Sequence, residues 1–332
     1  MRTYVLAASL AAMLPALAHA EGTPKKRVGT AAAARSPWGP GDEIGRLNLM
    51  TDASRASILA RIRGGKVYDL GVEYHKEMPS WSLLGDPTYQ IWMTHTPNGT
   101  VVDNPLLLGR KMHEHVSYSG DAVLMYTHTG THIDSLAHFG LNGETWNGFS
   151  HKEHLGDLGW KKAGAEKLPP IVARGVLIDV AAYKKVDVLP DGYRIMPADL
   201  QGALKRQAVE LREGDAVFIR TGRMRVIGDK SAYLKEEPGI GLDAARWLVE
   251  EQGAMMLGSD NLSLESFPVE TEDNWVPVHT YLSAEQGVAI MEVVDLEELS
   301  RDRVYEFAFI GAGLKLRGAS GAPMRPIAIP VK

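Results

Sequence analysis

Residues 128–138 read His-Thr-Gly-Thr-His-Ile-Asp-Ser-Leu-Ala-His, and they are the most informative stretch of this 332-residue chain. The stretch holds three histidines and one carboxylate, at His128, His132, Asp134 and His138. Neutral imidazole and carboxylate are the ligands that divalent transition metals such as zinc, manganese or iron accept. A single histidine is most often an ordinary polar residue. Four such groups around a glycine predict a metal site.

The same stretch predicts a strand that ends in a kinked loop. The residues that lead into it, 122–126, are apolar or small and are typical of a buried strand. In a straight strand the Cα atoms of His128 and His132 would lie about 13 Å apart, too far to share one ion at about 2 Å. A helix would join these histidines but turn Asp134 away, and the local Thr and Gly residues disfavour it. We therefore expect a bend at Gly130, where a glycine permits it.

The first twenty residues have the features of a secretory signal. Arg2 supplies the positive start, residues 4–17 are mostly apolar, and residues 18–20 form an Ala-His-Ala cleavage site. The stretch is too short and too weakly apolar to be a stable membrane helix. We expect residues 1–20 to be removed and the mature protein to be periplasmic or secreted.

Composition indicates an ordinary globular protein and excludes some classes of site. The chain has no Cys, so disulfides, thiolate metal sites and Cys nucleophiles are excluded. Its net charge of −5, or −6 without Arg2, gives no indication of nucleic-acid binding. No later segment has eighteen uninterrupted apolar residues, so we expect no membrane anchor. We expect a flexible leader at 21–36 and one domain over 37–332.

Strand and helix patterns alternate through the second half of the chain. Short apolar runs predict strands at 67–72, 175–180, 215–220, 254–258, 287–292 and 304–310. Helical patterns occupy residues 51–64, 197–209 and 243–252, and residues 75–90 predict a loop near the site. This alternation favours an α/β domain with a mixed or mostly parallel sheet covered by helices.

Two distant residues, His279 and Glu292, are the best candidates to complete the site. His279 precedes a short helical segment that Gly287 ends, and Glu292 lies on the apolar run that follows. A carboxylate buried in such a run needs a partner, because burying it unpaired is costly. The alternative is that Glu292 lies at a strand edge in water.

Residues 128–139, H-x-G-T-H-x-D-x-x-x-H-F, resemble the signature of the cyclase-type metal-dependent hydrolases, a family that includes kynurenine formamidase-like and isatin hydrolase-like enzymes. Further blocks are also similar to that family, and together they cover most of residues 38–330: W-G-x-x-D-E-x-G-x-x-N at 38–48, R-G-V-L-x-D at 174–179, Gly-Ser-Asp at 258–260 and residues 321–326. The spacing of His279 and Glu292 resembles the family's late His and Glu.

The resemblance implies a swivelling β/β/α fold in a single domain, and a homodimer. It implies that His128, His132 and Asp134 bind metal, and His138 matches the catalytic histidine. His279 and Glu292 match residues that complete a centre of one or two ions per chain, either Zn²⁺ or Mn²⁺.

Other candidate residues have ordinary interpretations. His113 and His115 lack the H-E-x-x-H spacing of zinc proteases, and the chain has no G-x-S-x-G elbow, P-loop or dinucleotide-binding glycine motif. Aromatic residues before the site either line a substrate pocket or pack in the core: Trp81, Tyr89 and Trp92. A further group is given a surface or local structural interpretation: His151, His154, Asp260 and Glu265.

The sequence therefore predicts a metal-dependent amidohydrolase that opens the C–N bond of a small cyclic or N-formyl substrate. A bound metal lowers the pKa of water from about 16 to about 7 and polarises the substrate carbonyl. His138, near the metal but free to titrate, would move the proton to the departing nitrogen. The alternative is an exported metal- or solute-binding protein without turnover, which a closed shell of four or more protein ligands would favour.

Overall fold

A computed structural model describes residues 31–62 and 64–331 of the chain. The predicted signal at 1–20 and the first ten residues of the predicted leader lie outside the described residues. The remaining leader residues include Ala34, whose N–H donates a hydrogen bond of 2.9 Å to the Ala284 carbonyl.

The described part is built from short strands and short helices. The strands are β1 (Tyr68–Asp69), β2 (Gln90–His95), β3 (Gly120–Leu124), β4 (His132–Asp134), β5 (Leu155–Gly156), β6 (Gly159–Trp160), β7 (Ile171–Asp179), β8 (Arg194–Ile195), β9 (Ala216–Arg220), β10 (Gly239–Ile240), β11 (Met256–Ser259), β12 (Ala289–Glu292), β13 (Glu306–Gly311), β14 (Gly321–Pro323) and β15 (Ile327–Pro330). The α-helices are α1 (Asp52–Ala60), α2 (Pro97–Asp103), α3 (Arg110–His115), α4 (His151–His154), α5 (Val180–Lys184), α6 (Pro197–Gln207), α7 (Lys230–Leu234), α8 (Leu242–Arg246), α9 (Pro277–Thr280) and α10 (Glu297–Arg301). Helices α8 and α9 continue as π-helical turns over Trp247–Glu251 and Tyr281–Glu285.

A nine-stranded mixed sheet organises the molecule, in the order β1-β15-β13-β7-β9-β11-β12-β4-β14. Strands β7, β9, β11 and β12 run parallel to one another, as the alternation of strands and helices predicts. The remaining pairings in this sheet are antiparallel. The predicted α/β class with a mixed sheet is confirmed.

Both faces of the sheet are buried, which explains why its central strands read as continuous apolar runs. Along β7, Val176 and Ile178 point into one core with Leu200 of α6. Leu177, between them, points into the opposite core with Phe307 of β13. This alternation follows from the two-residue period of a strand.

The predicted helix at 51–64 is present as α1 and ends earlier, at Ala60. Thr51 caps it, because its Oγ1 accepts from the Ser54 N–H at 3.1 Å while its own N–H donates to Ser54 Oγ at 2.9 Å. The strand predicted at 67–72 is reduced to two residues, β1. The other predicted strands and helices of the second half are found with small shifts at their ends.

The strand predicted at 122–126 is present as β3, which ends at Leu124, but its predicted burial is wrong. Strand β3 pairs only with β2, outside the main sheet, and Val123 and Leu124 are 46% and 49% exposed. The run is apolar and therefore predicts burial, but few other residues of the chain pack against it.

We call residues 90–124, which comprise β2, α2, α3 and β3, the arm. Trp92 lies on the arm and is half exposed, so it does not pack in the core, and it is not in the wall of the cavity described below.

Among the residues that the structure describes, no helix has the length and apolar character needed to cross a membrane.

Candidate metal centre

The chain bends at Gly130, as the ligand spacing predicts. Gly130 has φ +61°, a left-handed conformation that favours glycine. A Cβ there would lie 2.8 Å from the Tyr74 ring, so a larger residue would also clash. His128 lies in the turn before the bend, and strand β4 begins immediately after it. The sequence predicts the bend but not that a strand resumes beyond it.

Strand β4 places two candidate ligands on one face. His132 and Asp134 point to the same side, while Ile133 between them is buried in the core beneath the sheet. β4 lies between β12 and β14, and His132 is in register with Glu292. This pairing explains how residues distant in sequence reach the same site.

The first candidate ligand group is His128, His132 and Asp134, whose ligand atoms all lie within 4.8 Å of one another. His128 Nδ1 is 2.6 Å from Asp134 Oδ1, and His132 Nε2 is 3.3 Å from the same oxygen. All three side chains are buried. The predicted triad is thus brought together in space.

A second candidate group shares Asp134 and adds His279 and Glu292. His279 Nε2 lies 3.1 Å from Glu292 Oε1, and Glu292 Oε2 lies 3.3 Å from His132 Nε2. Glu292 is buried, so the alternative of a strand-edge carboxylate in water is wrong. The two groups adjoin through Asp134, an arrangement that has room for either one ion or two.

Two buried ligand atoms indicate that the site fits a cation. Within the described residues, His132 Nε2 and Asp134 Oδ2 have no hydrogen-bond partner. Leaving such atoms unsatisfied in a protein interior is costly. A divalent ion would satisfy both, and imidazole with carboxylate is a donor set suited to zinc or manganese.

The electrostatics of the cluster support the same conclusion. Burial alone would lower the pKa of His132, but Asp134 and Glu292 raise it to about 10. Burial likewise opposes protonation of His279, yet Glu265 and Glu292 raise its pKa well above the ordinary value. Protons on these imidazoles therefore balance the buried carboxylates, and a metal cation would take their place.

His138 lies beside the cluster but belongs to neither ligand group. Its ring stacks on His128 with centroids 3.8 Å apart, and its Nε2 is 4.0 Å from Asp134 Oδ2. Burial, with the neighbouring His128, holds the pKa of His138 well below its ordinary value. A neutral imidazole next to the cluster can accept a proton.

A cavity of about 240 Å³ opens over the cluster. His138, His279 and Glu292 form its polar end, and its other walls are largely aromatic, with Trp81, Phe139 and Trp275. Apolar walls around a few polar groups are typical of a small-molecule site. A wider open groove of about 850 Å³ near residues 156–161 contains none of the candidate ligands.

Comparison with known proteins identifies the family. The sequence profile of a family described as putative cyclase matches residues 68–266, more than half of the chain. The chain belongs to this cyclase family. A crystal structure of a novel cyclase is 29% identical, with a TM-score of 0.79, and the match covers 90% of this chain and 97% of that one.

Two further relatives are more distant. Isatin hydrolase A from Ralstonia solanacearum is 21% identical, with a TM-score of 0.60, and the match covers 85% of this chain and 97% of that one, which shows a shared fold. Cyclase-like protein 3 from Oryza sativa subsp. japonica is 23% identical over 273 residues, 80% of each chain. The predicted family is therefore confirmed.

Two residues of this cyclase-family site were missed from the sequence. Glu265 is buried, and its Oε1 lies 2.5 Å from His279 Nδ1 and also accepts the His279 N–H at 3.2 Å. Ser320 Oγ lies 2.9 Å from His128 Nε2. No motif marks either residue. Glu265 stands in Ser263-Leu-Glu-Ser266, so the local sequence gives no burial signal, and sequence reasoning assigned it only a local structural interpretation.

The remaining candidates in the cyclase chain lie elsewhere or act locally. Asp260 is buried and accepts hydrogen bonds from the Thr221 hydroxyl at 2.7 Å and from the Gly222 N–H at 2.8 Å, so it fixes a loop. His151 and His154 lie on the short surface helix α4 and join neither ligand group. Tyr89 packs against Tyr74 and does not line the cavity.

Proposed function

We propose that this protein is a metal-dependent amidohydrolase that cleaves the C–N bond of a small cyclic or N-formyl substrate. The observation that carries the proposal is the aromatic cavity that opens directly onto the buried ligand cluster. Such a cavity lets a substrate reach the cluster. In a protein that only binds metal, a closed shell of protein ligands around the ion would be expected instead. The fold shared with isatin hydrolase A supports hydrolysis of an aromatic amide.

The two ligand groups define what the chain would hold. His128, His132 and Asp134 would bind one divalent ion, Zn²⁺ or Mn²⁺, and Asp134, His279 and Glu292 would hold a second. The ion, when bound, activates water near neutral pH and polarises a carbonyl.

The chain's own residues would move the proton and hold the substrate. His138 is neutral and faces the cavity, so it can accept the proton of the attacking nucleophile. The same imidazole can then donate that proton to the departing nitrogen. The indoles of Trp81 and Trp275 would hold a small ring and exclude water from the cavity.

The test combines metal content with hydrolysis. Protein purified without chelator should carry about one or two divalent ions per chain and hydrolyse isatin or N-formylkynurenine. Chelation should remove the activity, and zinc or manganese should restore it. His132→Ala should lose the metal, whereas His151→Ala, on the surface, should keep it. Absence of metal, with no activity after metal is added, would refute the proposal.

We also propose that the protein is a homodimer joined through the arm. Exposed apolar side chains are concentrated there, at Ile91, Trp92, Met93, Val102, Leu106, Leu107, Leu108, Met112, Val116, Tyr118, Val123 and Leu124. A group of exposed apolar side chains on one segment is typical of a protein interaction surface. Leu106 and Leu107 also have φ of +62° and +55°, and such strained residues persist where surroundings fix them. A second copy of the chain would supply those surroundings.

We propose export as well, on the strength of the Ala-His-Ala site at residues 18–20. Mass spectrometry of periplasmic material should find Glu21 as the first residue. Material that retains Met1 would contradict this.

A further inference from the structure

Tyr126 is a polar residue of the cavity wall that the ligand cluster does not use. It lies two residues after the end of the arm, and its N–H donates a hydrogen bond of 3.2 Å to the Pro87 carbonyl, which fixes the backbone. Its ring lies against His128, with centroids 4.8 Å apart. The side chain is half-buried and lines the same cavity as His138 and Glu292. Tyr126 is therefore held beside the place where a substrate would meet the cluster.

The phenol hydroxyl of Tyr126 has no hydrogen-bond partner within residues 31–62 and 64–331. The other hydroxyl in the cavity wall is engaged, because Ser263 Oγ donates to the Glu265 carbonyl at 3.1 Å. The neighbouring Tyr74 is also engaged, since its hydroxyl donates to the Thr131 carbonyl at 2.5 Å. A phenol is protonated at neutral pH, so Tyr126 offers a free donor to the cavity.

The other polar groups at this end of the cavity are already committed. Glu292 is an acceptor, the ring nitrogens of His279 face Glu265 and Glu292, and the neutral His138 is assigned to proton transfer. Attack on an amide places negative charge on the carbonyl oxygen, and fixed hydrogen-bond donors aimed at that oxygen stabilise the transition state.

We propose that the Tyr126 hydroxyl donates a hydrogen bond to the carbonyl oxygen of the bound substrate and acts as a catalytic residue. This inference rests on the proposed amide hydrolysis. It concerns contact with the substrate and is separate from metal binding, since the phenol belongs to neither ligand group.

Tyr126→Phe removes only the hydroxyl, and Tyr89→Phe is the matched control, since Tyr89 lies outside the cavity wall. With isatin or N-formylkynurenine, Tyr126→Phe should lower kcat by about 10²–10³-fold, the cost of removing one such donor. Its KM should stay within about a factor of two, because the contact strengthens in the transition state. Metal content and thermal unfolding should match wild type. An unchanged kcat, or a change in KM alone, would overturn the inference.

A binding measurement separates this inference from the proposed reaction. Benzoate is a suitable probe, because its ring matches the aromatic cavity walls and its carboxylate would replace the substrate carbonyl. Its affinity for the zinc-loaded protein can be measured by calorimetry without turnover. Tyr126→Phe should bind benzoate about tenfold or more weakly, because a hydrogen bond to a charged group is lost. Tyr89→Phe should bind it as wild type does.

The outcomes are distinct. Weaker benzoate binding by Tyr126→Phe in a protein that hydrolyses neither substrate would support the Tyr126 contact and refute amide hydrolysis. Hydrolysis with equal benzoate affinity and equal kcat in both variants would support the reaction and refute the contact. Wild-type protein that neither binds benzoate nor hydrolyses a substrate would refute both.

Discussion

Glu265 orients His279 through a contact that no motif reveals. The carboxylate receives both the imidazole Nδ1 and the backbone N–H of His279, which leaves Nε2 facing Glu292. Such partners of metal-binding histidines fix the ring and raise its basicity. Glu265→Gln should therefore weaken zinc binding by about 10–100-fold, as measured by calorimetric titration.

Glu251→Gln is the matched control for that change, since Glu251 is exposed and belongs to neither ligand group. It should bind zinc as wild type does. If Glu265→Gln kept wild-type zinc affinity, His279 would not depend on this carboxylate.

His138 should be required for turnover but not for metal. His138→Ala removes the imidazole that stacks on His128 without removing any member of the two ligand groups. Its kcat should fall by about 10²–10⁴-fold, the contribution of positioned proton transfer, while elemental analysis finds unchanged metal. Loss of metal together with activity would make His138 a ligand. Near-normal turnover would direct attention to His279.

How far the site can be predicted depends on how its residues are spaced along the chain. The triad of His128, His132 and Asp134 lies within one short stretch, so its density alone reveals it. His279 and Glu292 could be named as candidates from the residue pattern, with an alternative left open for Glu292, because only strand pairing brings that carboxylate to the triad. Glu265 and Tyr126 could not be assigned from sequence, because only their contacts in the folded structure, with His279 and His128 respectively, place them at the site.

At the scale of elements, strand β14 supports the first ligand group from the side. It pairs with β4, and a Cβ added to Gly321 would lie 2.4 Å from Cε1 of His128. That ring is held by Asp134 and Ser320 and cannot move without breaking those contacts. Gly321→Ala should therefore displace His128 and weaken zinc binding, with a cost to stability of about 1–3 kcal/mol.

Calorimetric titration with zinc and chemical denaturation would measure the two effects of Gly321→Ala. Gly228→Ala is the control, because a Cβ at Gly228 would have no neighbour within 4 Å. Equal zinc affinity in the two variants would show that β14 does not constrain His128.

Elements were predicted well where burial on both faces imposes a continuous apolar run. Strands β7, β9 and β13 belong to this class, and each is found close to its predicted position. Strand β3 shows the limit of the reasoning, because its apolar run is the same kind of pattern but lies exposed on the arm. An apolar pattern indicates that a strand face tends to be buried. It does not indicate whether that face is buried by the same chain or by a partner.

For the whole molecule, the arm should decide the oligomeric state. Leu106 and Leu107 are 85% and 86% exposed, and the double change Leu106→Glu/Leu107→Glu would place two charges in the proposed interface. Light scattering after size exclusion should find wild-type dimers and variant monomers, because buried unpaired charges are costly. Leu158→Glu, at a residue 97% exposed outside the arm, should remain dimeric. A monomeric wild type would refute the arm interface.

The position of β4 in the sheet also determines when the metal centre can exist. His132 and Asp134 are synthesised in the first half of the chain, but the strands that flank them, β12 and β14, come from its C-terminal part. A nascent chain therefore displays its metal-binding motif long before the sheet that shapes it has been made. Contacts between such distant segments are slow to form, since a long loop must close before they gain any stability. Ribosome-bound chains that stop before β12 should consequently lack the site, however much of the remaining fold they have acquired.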